Sequence, residues 1–387
     1  MRYTTIMKRT ICIAIALAAT SLGGCKKKEQ PEMNATPGTP GAMGSGGDMG
    51  SAMTGKDMGG SAALGPGSGS GSGSAVAPTP KTAEEIAARY EECLVYFNSA
   101  KFEEMKTCLV PDVVVDSPGS GAPEVKGSDA VVADAQQQRA AMSDLHAEPQ
   151  LVLVSGHDVV GVLFLTGTND GAMKSPQGEV PATKKKIALY VAQAVTVDDT
   201  AHVTRESDYF DVATMTAQLG QSKKPARAAA DKGWGPKVLA IAKDDDKEKA
   251  NLAVFNALAD AFNKHDAKAV LDTLSDDTVW SEQAQPKDWD KKTVGQNLPL
   301  LWKRFADLKF DVKKTWAAGD YVAAVQSFEG TSAGKHVSLP LLSLHKISTG
   351  KIVQSWIFAQ SMGMDAQLKP PAAPAKPAAP AGSGSAK

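Results

Sequence analysis

The sequence predicts an α+β protein in which one domain occurs twice, and three observations carry that expectation. The stretch from Val154 to Thr168, VSGHDVVGVLFLTGT, returns as Ala317 to Thr331, AAGDYVAAVQSFEGT; Gly156 meets Gly319, Val159 meets Val322, Val162 meets Val325, and Gly167-Thr168 meets Gly330-Thr331. Each copy is a small turn entering a long apolar, β-branched run, which reads as a sheet strand. Apolar residues at helical spacing precede each copy and further long strands follow it, so helices and an antiparallel sheet are segregated along the chain. An internal repeat within 387 residues points to two copies of one domain.

The N-terminus reads as a targeting segment. Lys8-Arg9 precede an apolar run, Ile11 to Leu22, too short to remain as a membrane span. It ends Leu22-Gly23-Gly24-Cys25, which resembles the bacterial lipobox. That resemblance implies a signal peptide over 1–24, lipid on Cys25 and anchoring in the bacterial cell envelope; the other reading is an ordinary secretory signal with an incidental cysteine. Lys26, standing where an aspartate would signal inner-membrane retention, favours the outer membrane. Residues 25–81 are Gly, Ser, Met and Pro, a flexible tether with a reach of roughly 40 Å. Its methionines (Met33, Met43, Met49, Met53, Met58) are soft Cu(I) ligands by type, but no histidine or Met-x-Met spacing accompanies them, so a spacer is the simpler reading.

A net charge of −1 shows no basic stripe for nucleic acid. Neither metal-ligand spacing, a P-loop, a dinucleotide glycine pattern nor a Ser/His/Asp set occurs, so no cofactor or metal is expected. Cys12 leaves with the signal peptide. Cys93 and Cys108 are either a disulfide, worth roughly 3 kcal/mol on the chain-entropy model, or two buried thiols, since Leu258 and Thr273 stand in their places in the second copy.

The first domain is expected over 82–220. Thr82 and Glu85 form a capping box, and Ile86, Tyr90, Cys93, Leu94 and Phe97 share one helical face. Helices at 101–109 and 128–142 follow, then strands at 113–116, 148–154, 158–168, 186–197 and 202–210, with a polar loop at 169–183. Residues 221–247 read as a linker with one helical turn at 238–242. The second domain, 248–368, repeats the order: helices at 251–262, 268–274 and 296–305, and strands at 278–280, 309–316, 321–330, 337–347 and 352–359. The Pro/Ala-rich tail, 369–387, has no packing signal.

Three recurring motifs carry a resemblance to the SnoaL-like polyketide cyclase (ester cyclase) branch of the NTF2-like fold. A helix ends in Phe-Asn, at Phe97-Asn98 and Phe262-Asn263. A Gly-Asp-type turn leads a strand ending in Gly-Thr. A closing strand carries the family acids as Ser207-Asp208-Tyr209-Phe210-Asp211, before Gln218-Leu219-Gly220; in the second copy it reads Trp356-Ile357-Phe358-Ala359-Gln360, before Gln367-Leu368. The resemblance implies two tandem cones, each with three helices on a curved antiparallel sheet around a pocket, and a pocket aspartate acting as general acid/base. Asp208 and Asp211 match those acids, and Ile357 and Gln360 cannot take their place. Asp208 is the candidate base; Asp211 also reads as the N-cap of the helix 212–219. Tyr90, Tyr190, His157, Trp356 and His345 are further pocket candidates. Two function classes follow: a binder of a small apolar ligand or an envelope partner, its two domains paired within the chain as a pseudo-dimer, or an isomerase- or cyclase-like enzyme working from the first domain.

Overall fold

The computed structural model describes residues 80–175 and 178–368. The expected signal peptide, Cys25 as its expected lipid site, nearly all of the expected tether and the tail lie outside them. Among the described residues no helix is long and apolar enough to cross a membrane.

The first half runs α1 (Ala83–Asn98), α2 (Phe102–Lys106), β1 (Leu109–Asp116), β2 (Val125–Lys126), α3 (Ser128–Ala141), β3 (His146–Ser155), β4 (Asp158–Thr168), β5 (Met173–Ser175), β6 (Gly178–Val180), β7 (Lys186–Val197), β8 (Val203–Tyr209), α4 (Val212–Gln218) and β9 (Val238–Ile241). The second runs α5 (Asp246–Asn263), α6 (Ala267–Thr273), β10 (Leu274–Glu282), α7 (Lys291–Arg304), β11 (Lys309–Ala318), β12 (Tyr321–Ser332), β13 (Lys335–Ser348), β14 (Lys351–Ala359) and α8 (Ser361–Leu368).

A capping box starts α1 where the sequence places it, whereas α5 and α7 begin ahead of the expected 251 and 296. Thr82 accepts from the Glu85 amide at 3.2 Å while Glu85 accepts from the Thr82 amide at 2.9 Å. Asp245, Asp266 and Asp290 cap α5, α6 and α7 by accepting from the amides of Glu248, Ala269 and Thr293, without the reciprocal bond. α5 therefore begins inside the segment expected to be linker.

The recurring motifs hold the helices to the sheet. Asn98 spans the backbone of Ala147 with two hydrogen bonds, to its carbonyl at 2.9 Å and from its amide at 2.8 Å. Asn263 does the same to Phe310 at 3.0 and 2.7 Å. Asp144 accepts from the Thr168 amide, and Asp307 from the Thr331 amide, both at 2.6 Å. Beside them, a Cβ on Gly167 would lie 3.2 Å from Leu145, and one on Gly330 3.2 Å from Phe305, so these glycines admit the chain that leaves the helix. Each signature that repeats in the sequence thus has a scaffolding task.

Both sheets are mixed rather than wholly antiparallel. The first has the order β2-β1-β8-β7-β4-β3-β9 and the second β10-β14-β13-β12-β11. β1 runs parallel to β8, and β10 to β14, each pair joined through a long connection that includes a helix and several strands rather than a tight turn. Residues 238–241, expected from sequence to be a helical turn, instead form β9, parallel to β3. The Val-Leu-Ala-Ile run meets the free edge of β3 there, and a ladder satisfies four residues that one helical turn would leave half bonded. The expected loop at 169–183 contains the short hairpin β5–β6.

Alternation sorts the strands into two faces. Inward residues such as Val152, Val154, Val159 and Leu163 pack with Ile86 and Tyr90 of α1. In the second half Val322, Ala324, Leu341 and Ile357 pack with Phe255 and Leu258 of α5. The opposite faces share one cluster: Leu151, Leu153, Val160 and Val162 from the first sheet with Ala323, Leu342, Leu344, Trp356 and Phe358 from the second. This is why β4 and β12 read as apolar on both faces. Trp234, from the segment between the halves, enters this layer, 5.3 Å from the Tyr190 ring and 4.4 Å from the Trp356 ring. Cys93 and Cys108 form a disulfide joining α1 to the start of β1.

Candidate functional site

Each half encloses a cavity between its helices and its inner sheet face. The first measures about 160 Å³ and the second about 460 Å³. They differ in what the sheet presents to them.

In the first cavity four polar side chains form one network. The Tyr90 hydroxyl donates to Gln193 Oε1 at 2.5 Å. Gln193 Nε2 donates to Glu206 Oε1 at 2.6 Å and to Asp208 Oδ1 at 2.9 Å. Glu206 and Asp208 are two apart on β8 and so share its inner face. Gln193 reaches both from β7, where it lies in register with Asp208. Asp134 of α3 lines the same cavity and accepts from Gln138 at 2.7 Å.

Electrostatics splits the carboxyl pair. Burial pushes Asp208 up to about 6, against the hydrogen bonds from Gln193 and Glu206 that favour its charge. Burial and the neighbouring Asp208 charge push Glu206 well above the usual carboxylate range as well. The pair holds one proton near neutrality, with Glu206 as donor and Asp208 as acceptor. Burial and the two acids keep the Tyr90 phenol protonated. An acceptor carboxylate, a carboxylic acid and a phenol around one apolar space can take and return a proton at carbon or oxygen. The space itself admits only a small group, since drug-sized ligands occupy ~300 Å³ or more.

Several expected pocket residues lie elsewhere. Asp211 is not in the cavity: β8 ends at Tyr209, and Asp211 Oδ2 caps α4, accepting from the Thr214 amide at 2.9 Å and its hydroxyl at 2.8 Å. Its Oδ1 accepts from the amide and hydroxyl of Ser361, at 3.1 and 2.7 Å, across the contact between the halves. Gln360, the matching residue of the second copy, accepts in return from the Val212 amide at 3.2 Å. Asp211→Ala is expected to destabilise the fold by roughly 1–3 kcal/mol, because four donors lose their acceptor; an unchanged urea midpoint would refute this. Tyr190 and Trp356 point away from the cavities into the shared layer, because each lies one residue out of phase with the inward positions of its strand. His157 stands at the exposed β3–β4 turn, paired with Asp199 at 2.9 Å. Ser207, the departure from the family pattern, shares the outward phase of Trp356, so its loss of an aromatic ring leaves the cavity wall unaffected.

The second cavity replaces each member of the network. In the register that sets Gln193 against Asp208, Ser343 stands against Ile357; where Val195 faces Glu206, His345 faces Ser355. Phe255 takes the place of Tyr90. The walls are mainly apolar, including Phe262, Trp280, Phe328 and Leu341. Glu282 enters from the end of β10, with its carboxyl pushed up to about 8 by burial and by the Asp211 charge, against Arg227. His345 is 1% exposed, and burial drives its imidazole down to about 3, so it stays neutral.

Sequence reasoning missed Glu206, Gln193, Asp134 and Glu282. Glu206 was accessible from the period of the strand, two residues before Asp208. Gln193 needed the β7–β8 register, Asp134 the orientation of α3, and Glu282 the extension of β10 beyond Trp280. Among the described residues no group of three or more His, Cys, Asp or Glu could hold a metal ion.

The model of the SnoaL-like polyketide cyclase family matches residues 84–219 and again 253–368. No curated protein matches the chain. Similar solved structures each cover about one half of the repeat. IdmH from Streptomyces antibioticus is 20% identical over 30% of this chain and 97% of its own, with a TM-score of 0.29. A SnoaL-like protein from Jannaschia Sp. CCS1 is 17% identical over 34% and 99%, with a TM-score of 0.31. A protein of ketosteroid isomerase-like fold from Catenulispora acidiphila, solved with trimethylamine, is 15% identical over 30% and 90%, with a TM-score of 0.28.

Proposed function

The chain belongs to the SnoaL-like polyketide cyclase family, and from that premise we propose that it is a lipid-anchored binder of a small apolar molecule, held in the second domain. The carrying observation is the second cavity. Its volume of about 460 Å³ is that of a ligand site, and it is lined by aromatic and aliphatic side chains with few polar groups. The family's acid positions there are Ile357 and Gln360, which supports binding without proton transfer in this domain. Lipid on Cys25 would place both domains at a face of the envelope, the outer membrane first, on a tether long enough to leave the surface. The shared apolar layer supports the two domains acting as one paired body rather than as independent beads.

Native mass spectrometry of the full chain, purified from its own cells in mild detergent, tests the binding. A copurifying small molecule is expected; protein that is empty in every preparation would defeat the reading. Labelling with radioactive palmitate, lost in Cys25→Ser, tests the anchor separately.

A second reading is carried by Asp208. With its carboxyl near 6 and Glu206 as an acid beside it, the first cavity has the parts for moving a proton next to a carbonyl. It would act on a small substrate or on one end of a larger one. Hydrogen–deuterium exchange at the α-carbon of a small ketone, abolished in Asp208→Asn, is the expected sign of it.

A further inference from the structure

The second cavity contains one buried polar atom that the protein leaves without a partner. His345 lies on the inner face of β13, opposite Ser355 on β14. Its Nδ1 is 2.9 Å from the Ser355 hydroxyl. Its Nε2 is buried and makes no hydrogen bond within the protein. The ring lines the cavity together with those of Phe255 and Trp280, whose centroids are 5.4 and 6.2 Å away. In the first domain the same register holds Val195 against Glu206, so the histidine belongs to the second cavity alone.

An unpaired buried imidazole nitrogen costs folding free energy. A scaffold that needed only packing here would be served by an aliphatic residue, as Val195 shows. Ser355 holds the ring by its other nitrogen, which orients Nε2. Ser355 either donates to Nδ1 or accepts from it, so Nε2 is correspondingly a donor or an acceptor; a ligand hydroxyl satisfies both cases. The walls around the ring are apolar, and Arg304, the cation among the lining residues, is exposed at the rim. A charged group beside His345 would lie against aromatic faces, and Glu282, the carboxyl among the lining residues, is itself held neutral near pH 7 by burial.

We propose that the second domain selects an uncharged, mainly apolar ligand carrying one hydroxyl group, which hydrogen-bonds to His345 Nε2. The proposal rests on the binding reading above and adds the chemical class of its ligand. The residue acts by contact with the ligand, and Ser355 positions it.

The test uses the full chain in lipid nanodiscs, with empty nanodiscs as the blank, and two probes of nearly equal shape: 1-naphthol and 1-methylnaphthalene. Quenching of tryptophan fluorescence reads binding, since Trp280 lines the cavity. The wild-type protein is expected to bind 1-naphthol about tenfold more tightly, the scale of one hydrogen bond to an otherwise unpaired group. His345→Leu is expected to erase that preference while holding 1-methylnaphthalene to within about threefold of wild type. Equal wild-type affinities, or a preference that survives in His345→Leu, would overturn the hydroxyl proposal and leave the apolar cavity standing. Failure of both probes to bind would remove the binding reading along with it. A measurement on the wild-type protein does not depend on the variant folding. The ¹⁵N resonance of His345 Nε2 is expected to move with 1-naphthol and to stay in place with 1-methylnaphthalene, and movement with neither would count against the proposal.

Discussion

Asp208→Asn is expected to flatten the dependence of stability on pH between about 4 and 7. Asp208 is 4% exposed, and burial raises its carboxyl from 3.8 to about 6. A carboxyl raised in the folded state favours folding only while it is protonated. Its contribution is therefore full below about pH 4, near the unfolded value, and is lost as pH rises through about 6. At ~1.36 kcal/mol per pH unit the whole loss is about 3 kcal/mol. Asparagine has no charge to bury, so the variant should gain on wild type as pH rises. Asp208 also helps to raise the Glu206 carboxyl, so the variant loses that effect as well and the difference between the two proteins belongs to the coupled pair. Urea midpoints at half-unit steps would measure it; parallel curves for the two proteins would show that Asp208 does not titrate as a buried acid. Any proton transfer that uses Asp208 as base should rise with pH through the same point.

Gly161→Ala is expected to cost roughly 1–3 kcal/mol in wild type and much less when Tyr90 is Phe. A Cβ at Gly161 would lie 2.0 Å from the Tyr90 hydroxyl and 2.8 Å from its Cζ. The missing side chain is what lets the phenol reach Gln193, which stands in register with Gly161. Tyr90→Phe alone strips Gln193 Oε1 of its donor in a buried network and is destabilising on its own. Together the two changes recreate the second domain, where Ala324 and Phe255 occupy these places in one core. The coupling should therefore be strongly favourable, with the double variant more stable than the sum of the single costs. Strictly additive costs would mean that the glycine serves some other purpose.

Much of the fold was legible because its signals are local or periodic. The capping box at Thr82, the Phe-Asn helix ends and the Gly-Thr strand ends each need only a few neighbouring residues, and each recurred. The segment 238–241 was misread because four apolar residues carry no period, and the free edge of β3 that receives them is remote in sequence. The site was less legible. Asp208 was found through the family pattern, and Asp211 was found with it but belongs to a helix cap and a contact between domains. Tyr190 and Trp356 were placed in pockets by residue type, whereas strand phase sends them to the other face.

The sequence alone determined that the chain holds two copies of an α+β domain and that the second copy lacks the family acids. Helix caps, strand alternation and repeat spacing are properties of short stretches, and the loss of a carboxyl is visible wherever it falls. Only the tertiary structure decided which polar groups share a cavity and which meet no partner. Gln193 joins Tyr90, 103 residues away in sequence, to Glu206 and Asp208; His345 meets Ser355 and leaves Nε2 alone. Both outcomes depend on the register between strands and on the burial that packing imposes. The energy of a buried polar atom is set by its complete surroundings, which long-range contacts assemble.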